Sequence, residues 1–411
     1  MVMRNTLLPL INRQEAQRIL QDYDVSALVV ADPVNIYYAT GFWPQMVTMG
    51  QTGAVYAVVP ADADRPVTLI TSQFIHYLHD VEDALDNHAL DIFLYTAPDG
   101  LEGDAMQPLF LDLPPGGRTD PLDDYSRSAT LRALDQQPAF PDAATALRSA
   151  AAPYSGAIFG DTPVVARHLG SACLSLAAEP LLRRIRMIKS PREIDLMRHA
   201  ASSNAEAARA AVFSITPGNS YEELRRAFFA ETGKRGGVPL FLSTDSMAMR
   251  QRDGVIRQGR SFQIDAVSSY AGYHGDYGRT VFVGDPDPLV EQMVEAASCA
   301  NAAIAAELRP GLRYSDVRAI GQQAARAAGH RFEIACSPHS VGLFHTDEAF
   351  EHDAIQFQKA DHVIRENMVL SVDCPVLHLD AGGNVHLEDL WLITSNGCEP
   401  LNSLDAPFLQ I

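Results

Sequence analysis

Cysteine is scarce in this chain and is not arranged for metal binding or disulfide pairing. Only five of the 411 residues are cysteines, the number is odd, and no two have the CxxC spacing of a zinc knuckle or a redox motif. Scattered cysteines are typical of the reduced thiols of a cytoplasmic protein. We therefore expect neither a disulfide framework nor a thiolate zinc site.

Long apolar runs and positive charge are also lacking. No uninterrupted stretch approaches the roughly 20 residues of a membrane span. The start, MVMRNTLLPLINRQEAQ, has only a short apolar patch where a signal peptide would need a longer one. The 32 Lys and Arg residues against 51 Asp and Glu give a net charge of -19. Nucleic acid and anionic membranes would repel such a chain, so we expect a cytoplasmic protein that binds neither.

The first part of the chain alternates between helical and strand patterns, with short connections. This order predicts an α/β domain with a mixed sheet covered by helices. The turn-rich, polar stretch 97–127 is predicted to be a surface loop. The predicted elements are strands at 25–32, 52–60, 66–71 and 90–96, and helices at 11–23, 143–152 and 177–187.

A second pattern begins near residue 183. It opens with a long helix, for which Ser190 is the expected N-cap, Pro191 the first helical residue and Glu193 the partner in a capping box. Further helices are predicted at 221–236, 289–308 and 315–329, with strands between and after them. We place the domain boundary between residues 180 and 181, which gives domains 1–180 and 181–411.

Five potential metal ligands lie in the second half of the chain. Asp265 and Asp276 are eleven residues apart, His339 follows a proline, and Asp373 and Glu388 each end an apolar, strand-like run. Four carboxylates and one imidazole suit hard or borderline divalent ions, and a pair of ions can bind a bridging water. A buried, unpaired carboxylate is costly, which favours cations beside these acids. The pattern predicts a metal-dependent hydrolase.

From about residue 186 to its end the chain resembles the pita-bread metallohydrolases, which include methionine aminopeptidase, aminopeptidase P, prolidase and creatinase. The matching motifs, in order, are IRMIKSPREIDLMRHA, ITPGNSYEEL, QIDAVSSYAGYHGDYGRT, HSVG, ENMVLSVDCP and HLEDLWLIT. The front part, through VVADPVNIYYATGF, is similar to the N-terminal domain of the creatinase–prolidase branch. The resemblance implies an α/β N-terminal domain followed by an α+β pita-bread domain, whose two pseudo-symmetric halves surround a metal site.

The resemblance also implies a role for each ligand. Asp265 would bind one ion through both oxygens, His339 would bind the second, and Asp276 and Glu388 would bridge the pair. Asp373 stands where the family has a glutamate bound to one ion. Two divalent ions (Mn, Fe, Co or Zn) would lower the pKa of the bridging water, so that hydroxide exists near neutral pH. In this branch the partner subunit covers the active site, which implies a homodimer.

Several positions depart from the family pattern. Asp373 is one methylene shorter than the usual glutamate, and Gly278 stands where a threonine is usual. The interval from His339 to His345 is one residue shorter than in the family. His345 nevertheless resembles a family histidine that contacts the substrate or its tetrahedral intermediate.

A further departure concerns the substrate carbonyl. The peptidases support it with a histidine before the first aspartate, and the stretch PLFLSTDSMAMRQRDGVIRQGRSFQI has none. Arg250 or Arg252 could take that place, or His274 could reach in from beside the second aspartate. An arginine there would favour a carboxylate or another anion, because its planar fork pairs bidentately.

The leading interpretation is a homodimeric hydrolase that uses a metal-bound hydroxide to cleave an amide-like C–N bond. Its substrate would be a dipeptide such as Xaa-Pro or a related small molecule. The departures leave a second interpretation open, a small-molecule enzyme of the same fold. Such an enzyme could perform an elimination like dimethylsulfoniopropionate lyase, or an amidinohydrolase reaction like creatinase. A third is a catalytically inactive binding protein.

Overall fold

The chain divides into two compact units. The computed structural model describes residues 9–79, 90–96, 120–244, 254–350, 360–378, 383–402 and 406–411. Contacts between residues separate Met1–Ile185 from Arg186–Ile411. The helix Ala178–Arg186 belongs to the first unit except for its last residue. The predicted domain boundary between residues 180 and 181 stays a prediction.

The first unit is built on a six-stranded mixed sheet with helices around it. The sheet has the strand order β4-β3-β2-β1-β5-β6. Its strands are β1 (Val25–Val30), β2 (Tyr56–Pro60), β3 (Val67–Ser72), β4 (Leu90–Tyr95), β5 (Ala157–Gly160) and β6 (Cys173–Leu174). Its helices are α1 (Arg13–Asp22), α2 (Pro33–Thr40), α3 (Gln45–Thr48), α4 (Gln73–His79), α5 (Pro121–Gln136), α6 (Ala143–Ala151), α7 (Pro163–Leu169) and α8 (Ala178–Arg186), with a 3-10 turn at Gly170–Ala172.

The predicted α/β character of this unit is confirmed, and one element is corrected. β1 to β4 fall within or one residue beyond the predicted strands, and β1, β2 and β3 pair antiparallel while β3 and β4 pair parallel. The predicted loop 97–127 is wrong for residues 121–127, which form the first turns of α5. Pro121 opens that helix, and Asp123 and Asp124 lie in its first turn, where acidic side chains favour the helix dipole. Residues 97–119 lie outside the described residues.

The second unit combines helices with an eight-stranded sheet. The sheet runs β10-β11-β14-β9-β8-β7, with β15 paired to β14 and β16 to β9, and β12 pairs with β13 separately. Its helices are α9 (Pro191–Phe213), α10 (Tyr221–Lys234), α11 (Pro288–Glu307) and α12 (Tyr314–Ala327). Its strands are β7 (Val238–Thr244), β8 (Arg260–Tyr270), β9 (Tyr273–Val283), β10 (Ser337–Ser340), β11 (Val369–Asp373), β12 (Val376–His378), β13 (Gly383–Val385), β14 (Glu388–Ile393), β15 (Cys398–Pro400) and β16 (Phe408–Gln410).

The capping signals of the longest described helix are confirmed. Ser190 caps α9, Pro191 is its first residue, and the capping box closes with the Ser190 N–H donating to Glu193 at 2.8 Å. Among the described residues, no helix combines the length and the apolar character needed to cross a bilayer. All five cysteines are free thiols.

β8 and β9 form the hairpin that places the first two acids. Its two-residue loop, Ala271–Gly272, has φ values of 47° and 81° at its two positions. Positive φ at both loop positions gives the turn a backbone twist that matches the right-handed twist of the two strands it joins. The register pairs Asp265 with Gly278, and Val267 with Asp276. Because residues two apart on a strand share a face, both aspartates lie on the same face of the sheet as diagonal neighbours.

Candidate metal centre

The potential ligands converge because four strands align them in one row. Asp265 on β8 pairs with Gly278 on β9, Gly278 pairs with Glu388 on β14, and Glu388 pairs with Asp373 on β11. Directly paired residues of antiparallel strands project to the same face at about 5 Å spacing. We call Asp265, Gly278, Glu388 and Asp373 the cross-strand row. Asp276 lies one row further along the hairpin.

His339 on β10 closes the cluster from the far side. Its Nε2 lies 3.6 Å from Asp276 Oδ2, 3.6 Å from Asp373 Oδ2 and 3.7 Å from Glu388 Oε1. The ring is 3% exposed, and Asp276 is fully buried. The five predicted ligands thus surround one small volume, although they are scattered along the sequence.

The buried carboxylates of this cluster repel one another, and bound cations would relieve that repulsion. Burial and the charge of Glu388 raise the pKa of Asp265 to about 6. The same causes hold the pKa values of Asp276 and Asp373 well above their usual range. Burial works in the same direction on Glu388, but its interactions with His339 and His386 outweigh it and hold its pKa well below the usual range. Buried carboxylates oppose one another's ionisation, and a divalent cation reverses that opposition.

The donor atoms fit divalent ions. The Oδ1 atoms of Asp265 and Asp276 are buried and accept no hydrogen bond from the described residues. Among the described residues, three groups of donor atoms lie within 4.8 Å of one another: Asp276–His339–His345, Asp265–His386–Glu388, and His339–Asp373–Glu388. Mixed carboxylate and imidazole sets of this kind suit Mn, Fe, Co and Zn.

Comparison with known proteins places this cluster in a family. The model of metallopeptidase family M24 matches residues 195–395, and that of the creatinase/prolidase N-terminal domain matches residues 13–100. The chain belongs to the two-domain creatinase–prolidase branch. A curated relative, the Xaa-Pro dipeptidase of Pyrococcus furiosus, is 25% identical over 248 residues, which cover 56% of this chain and 67% of the relative. The methionine aminopeptidase of Aquifex aeolicus is 25% identical over 225 residues, or 50% of this chain and 87% of that protein.

Solved structures of the same branch show the same fold. The prolidase from Pyrococcus furiosus matches with a TM-score of 0.63 and 18% identity, covering 95% of this chain and 99% of that one. The Xaa-Pro dipeptidase from Bacillus anthracis matches with a TM-score of 0.66 and 16% identity, covering 97% and 100%. The predicted pita-bread fold and the predicted metallohydrolase class of this creatinase–prolidase protein are confirmed.

Two departures of this M24 chain from its family leave the cluster intact. The shorter Asp373 still reaches it, since its Oδ2 is as close to His339 Nε2 as Asp276 Oδ2 is, at 3.6 Å. The shortened interval between His339 and His345 still brings the two rings to 4.9 Å between centroids. Neither departure therefore disperses the candidate ligands.

Among the predicted site residues that the structure describes, His345 is the most accessible. Its side chain is 35% exposed, and its Nε2 lies 3.1 Å from Asp276 Oδ2. The ring also meets the edge of Phe241 at 5.8 Å between centroids. The loop that carries it is held by Asp347, which accepts hydrogen bonds from the Leu343 N–H at 3.1 Å and from Arg186 Nε at 2.8 Å.

His274, a second predicted catalytic residue, is not among the clustered donors of the described residues. His274 is 8% exposed, and its Nδ1 lies 3.2 Å from the Gly342 carbonyl oxygen, next to the loop that carries His345. Burial lowers the pKa of His274 to about 4, so the ring is neutral at neutral pH. Arg250 and the alternative Arg252 lie outside the described residues. Their roles stay predictions.

Asp389, the neighbour of Glu388, serves the opposite face of β14. It accepts a hydrogen bond from Arg279 Nη2 at 2.7 Å, and the two side chains are 2% and 0% exposed. Arg279 also donates to the Glu388 carbonyl oxygen at 2.9 Å. This buried pair fixes β9 against β14 behind the site, and so separates the structural acid from the candidate ligand.

His386 is a site residue that the sequence reasoning missed. Its Nε2 lies 3.0 Å from Glu388 Oε2 and 3.8 Å from Asp373 Oδ1, and the ring is 1% exposed. The signal was present in the sequence, because a His-x-Glu spacing in extended chain places both side chains on one face.

Proposed function

We propose that this protein hydrolyses the amide bond of small peptides of the Xaa-Pro type with the help of two divalent ions. The observation that carries the proposal is the convergence of Asp265, Asp276, His339, Asp373 and Glu388 on one buried volume. Two Pyrococcus relatives are named Xaa-Pro dipeptidase, at 25% and 26% identity. The family match and these names support a peptidase substrate.

The ligand set divides between two ions in the way the clusters suggest. One group of donors contains Asp265 and Glu388. A second group contains His339, Asp373 and the same Glu388. Four carboxylates carry four negative charges, which two divalent ions neutralise. When bound, such ions supply Lewis acidity and lower the pKa of a coordinated water.

His345 is positioned to handle a proton and to orient substrate. It is partly exposed, while Asp276, whose Oδ2 lies 3.1 Å from its Nε2, is fully buried. A carboxylate at this distance holds the imidazole in one orientation. We propose that His345 donates a hydrogen bond to the substrate as negative charge develops on its carbonyl oxygen.

A metal-replacement assay on a dipeptide panel tests the proposal. The protein is stripped with chelator, reloaded separately with Mn, Fe, Co or Zn, and offered Xaa-Pro dipeptides beside matched Xaa-Ala dipeptides. We expect no cleavage by the stripped protein, recovery on reloading, and preference for proline. Products formed in ¹⁸O-labelled water should carry the label in the new carboxylate. Full activity without metal, or an unlabelled alkene product from a small-molecule panel, would reject the peptide-hydrolase proposal.

We further propose a cytoplasmic homodimer. The resemblance to the branch supports the dimer, and five free thiols with no disulfide support a reducing compartment. Light scattering on the purified protein tests the first point: a mass of twice 44.8 kDa is expected, and a single-chain mass would contradict it.

A further inference from the structure

The cross-strand row contains one position without a side chain. Gly278 lies between Asp265 and Glu388 in the register of β8, β9 and β14. A Cβ built on Gly278 would lie 2.2 Å from Cδ2 and 2.5 Å from Nε2 of His386. These distances are shorter than any ordinary contact, so the imidazole occupies the space that a larger residue at 278 would need.

The main chain holds His386 in this position. Its N–H donates to Thr280 Oγ1 at 3.1 Å, and the same hydroxyl donates to the His386 carbonyl oxygen at 3.3 Å. Thr280 is two residues from Gly278 on β9, so one strand provides both the anchor and the space for the ring. A ring nitrogen of His386 shares a group of donors with Asp265 and Glu388 whose members lie within 4.8 Å of one another.

A simpler role for His386 would be to hold Glu388 through a hydrogen bond, at the observed 3.0 Å between Nε2 and Oε2. Two observations favour more than that. The Nδ1 atom makes no hydrogen bond with the described residues. The ring therefore meets its polar partners only through Nε2, which is also 3.8 Å from Asp373 Oδ1. An atom facing Asp265, Asp373 and Glu388 occupies the position of a ligand.

We propose that Nε2 of His386 is a sixth protein ligand, which binds the ion held by Asp265 and Glu388. This inference rests on the proposed metal site but not on the proposed substrate. A neutral imidazole adds a donor without changing the charge balance of four carboxylates and two ions. Imidazole nitrogen suits Zn, Co and Fe, whereas all-oxygen sites suit Mn. The site is therefore expected to prefer Zn and Co over Mn more strongly than it would without His386.

Metal binding by a His386→Gln variant tests the inference without reference to activity. Wild-type and variant proteins are stripped, and their Co(II) and Zn(II) dissociation constants are measured by chelator competition. We expect one of the two ions to bind more weakly in the variant by more than roughly 100-fold, the upper end of what the loss of an outer partner costs, whereas a smaller loss would fit a residue that only holds Glu388. The Co(II) visible spectrum should change, and the preference for Zn over Mn should fall.

His362→Gln is the matched control. His362 is a partly buried histidine of the same unit whose Nε2 contacts the Ala349 carbonyl oxygen at 2.7 Å, away from the clustered donors. This variant should keep wild-type affinities and the wild-type spectrum. If His386→Gln also kept both, while its unfolding temperature fell, His386 would be a structural residue and the inference would be overturned.

A second measurement does not depend on the folding of the His386 variant. X-ray absorption on the zinc-loaded His345→Gln protein counts bound imidazoles, with His339 and His386 as the remaining histidines in the donor groups of the described residues. Two imidazoles for each pair of ions are expected, and one would overturn the inference. If the protein cleaves no dipeptide yet shows both metal results, the substrate proposal fails and the ligand inference stands.

Discussion

Adding one methyl group at Gly278 is the sharpest perturbation of this site. The Cβ of a Gly278→Ala variant would meet His386 Cδ2 at 2.2 Å and Glu388 Cβ at 2.8 Å. The backbone of Gly278 is not in the positive-φ region, so an alanine is acceptable on conformational grounds. Any loss of folding stability therefore comes from the overlap of the new methyl group with these atoms. The His386 ring and the strand that carries Glu388 must both shift to relieve it.

The cost can be bounded from packing. Inserting a methyl group into a filled interior typically costs about 1–3 kcal/mol. For a unit of this size the corresponding drop in unfolding temperature is roughly 2 to 12 °C. Thermal unfolding of the metal-free protein measures it, because absence of metal removes any contribution from weakened ion binding.

Gly233, a glycine in a helix, provides the control, because its replacement by alanine should not lower the stability of the fold. Gly233 lies in α10, and a Cβ built there meets nothing within 4 Å. Gly233→Ala should leave stability unchanged or raise it by up to about 1 kcal/mol, because alanine favours helix. In a His386→Ala background the Gly278→Ala penalty should shrink, since the ring contacts vanish and the Glu388 contact remains. An equal penalty in both backgrounds, or a Gly278→Ala protein as stable as Gly233→Ala, would refute the placement of the ring.

Three further outcomes are expected. Arg279→Met should destabilise the protein by about 3–5 kcal/mol in denaturant unfolding, because it leaves Asp389 buried without its partner, and adding Asp389→Leu should recover most of the loss. His345→Gln should lower kcat by roughly 10²- to 10⁴-fold in dipeptide assays with metal content unchanged by elemental analysis; loss of an ion would instead make His345 a ligand. Asp265 has a folded-state pKa of about 6, above that of the unfolded chain, so its proton binds the folded state more tightly. As pH falls from 7 towards 4, the unfolding temperature of the metal-free protein should therefore rise relative to Asp265→Asn, and an identical pH dependence of the two would contradict this assignment.

Local signals in the sequence predicted the elements that depend on local physics. The capping box around Ser190 and Pro191 is such a signal, and the helix begins there. The loop predicted at 121–127 failed for a related reason. Its polar residues are typical of turns, but Pro121 with Asp123 and Asp124 close behind it is also the pattern of a helix start.

The candidate ligands could be singled out from the sequence, but the strand register that brings them together could not. Order and spacing along the chain single out Asp265, Asp276 and Glu388, whereas the pairing of β14 with β9 joins residues 110 positions apart, Glu388 and Gly278. That pairing is a tertiary event, set by which strand faces pack together. Because of this pairing, Glu388 faces the cluster and Asp389 contacts Arg279 on the opposite face of the strand. The alternation of side chains along β14 does not by itself say which of the two acids faces the site.

Two departures that look unrelated in the sequence meet at one side chain in the structure. Asp373 and Gly278 are 95 positions apart, yet both flank Glu388 in the cross-strand row. The shorter acid and the absent side chain each free volume, and the His386 ring lies against both, over the Gly278 Cα and 3.8 Å from Asp373 Oδ1. A full-length glutamate and a threonine at those positions would compete with the ring for the same space. The three residues are therefore best understood as one compensated set, in which the His386 ring fills the volume left by smaller residues on the two strands that flank β14.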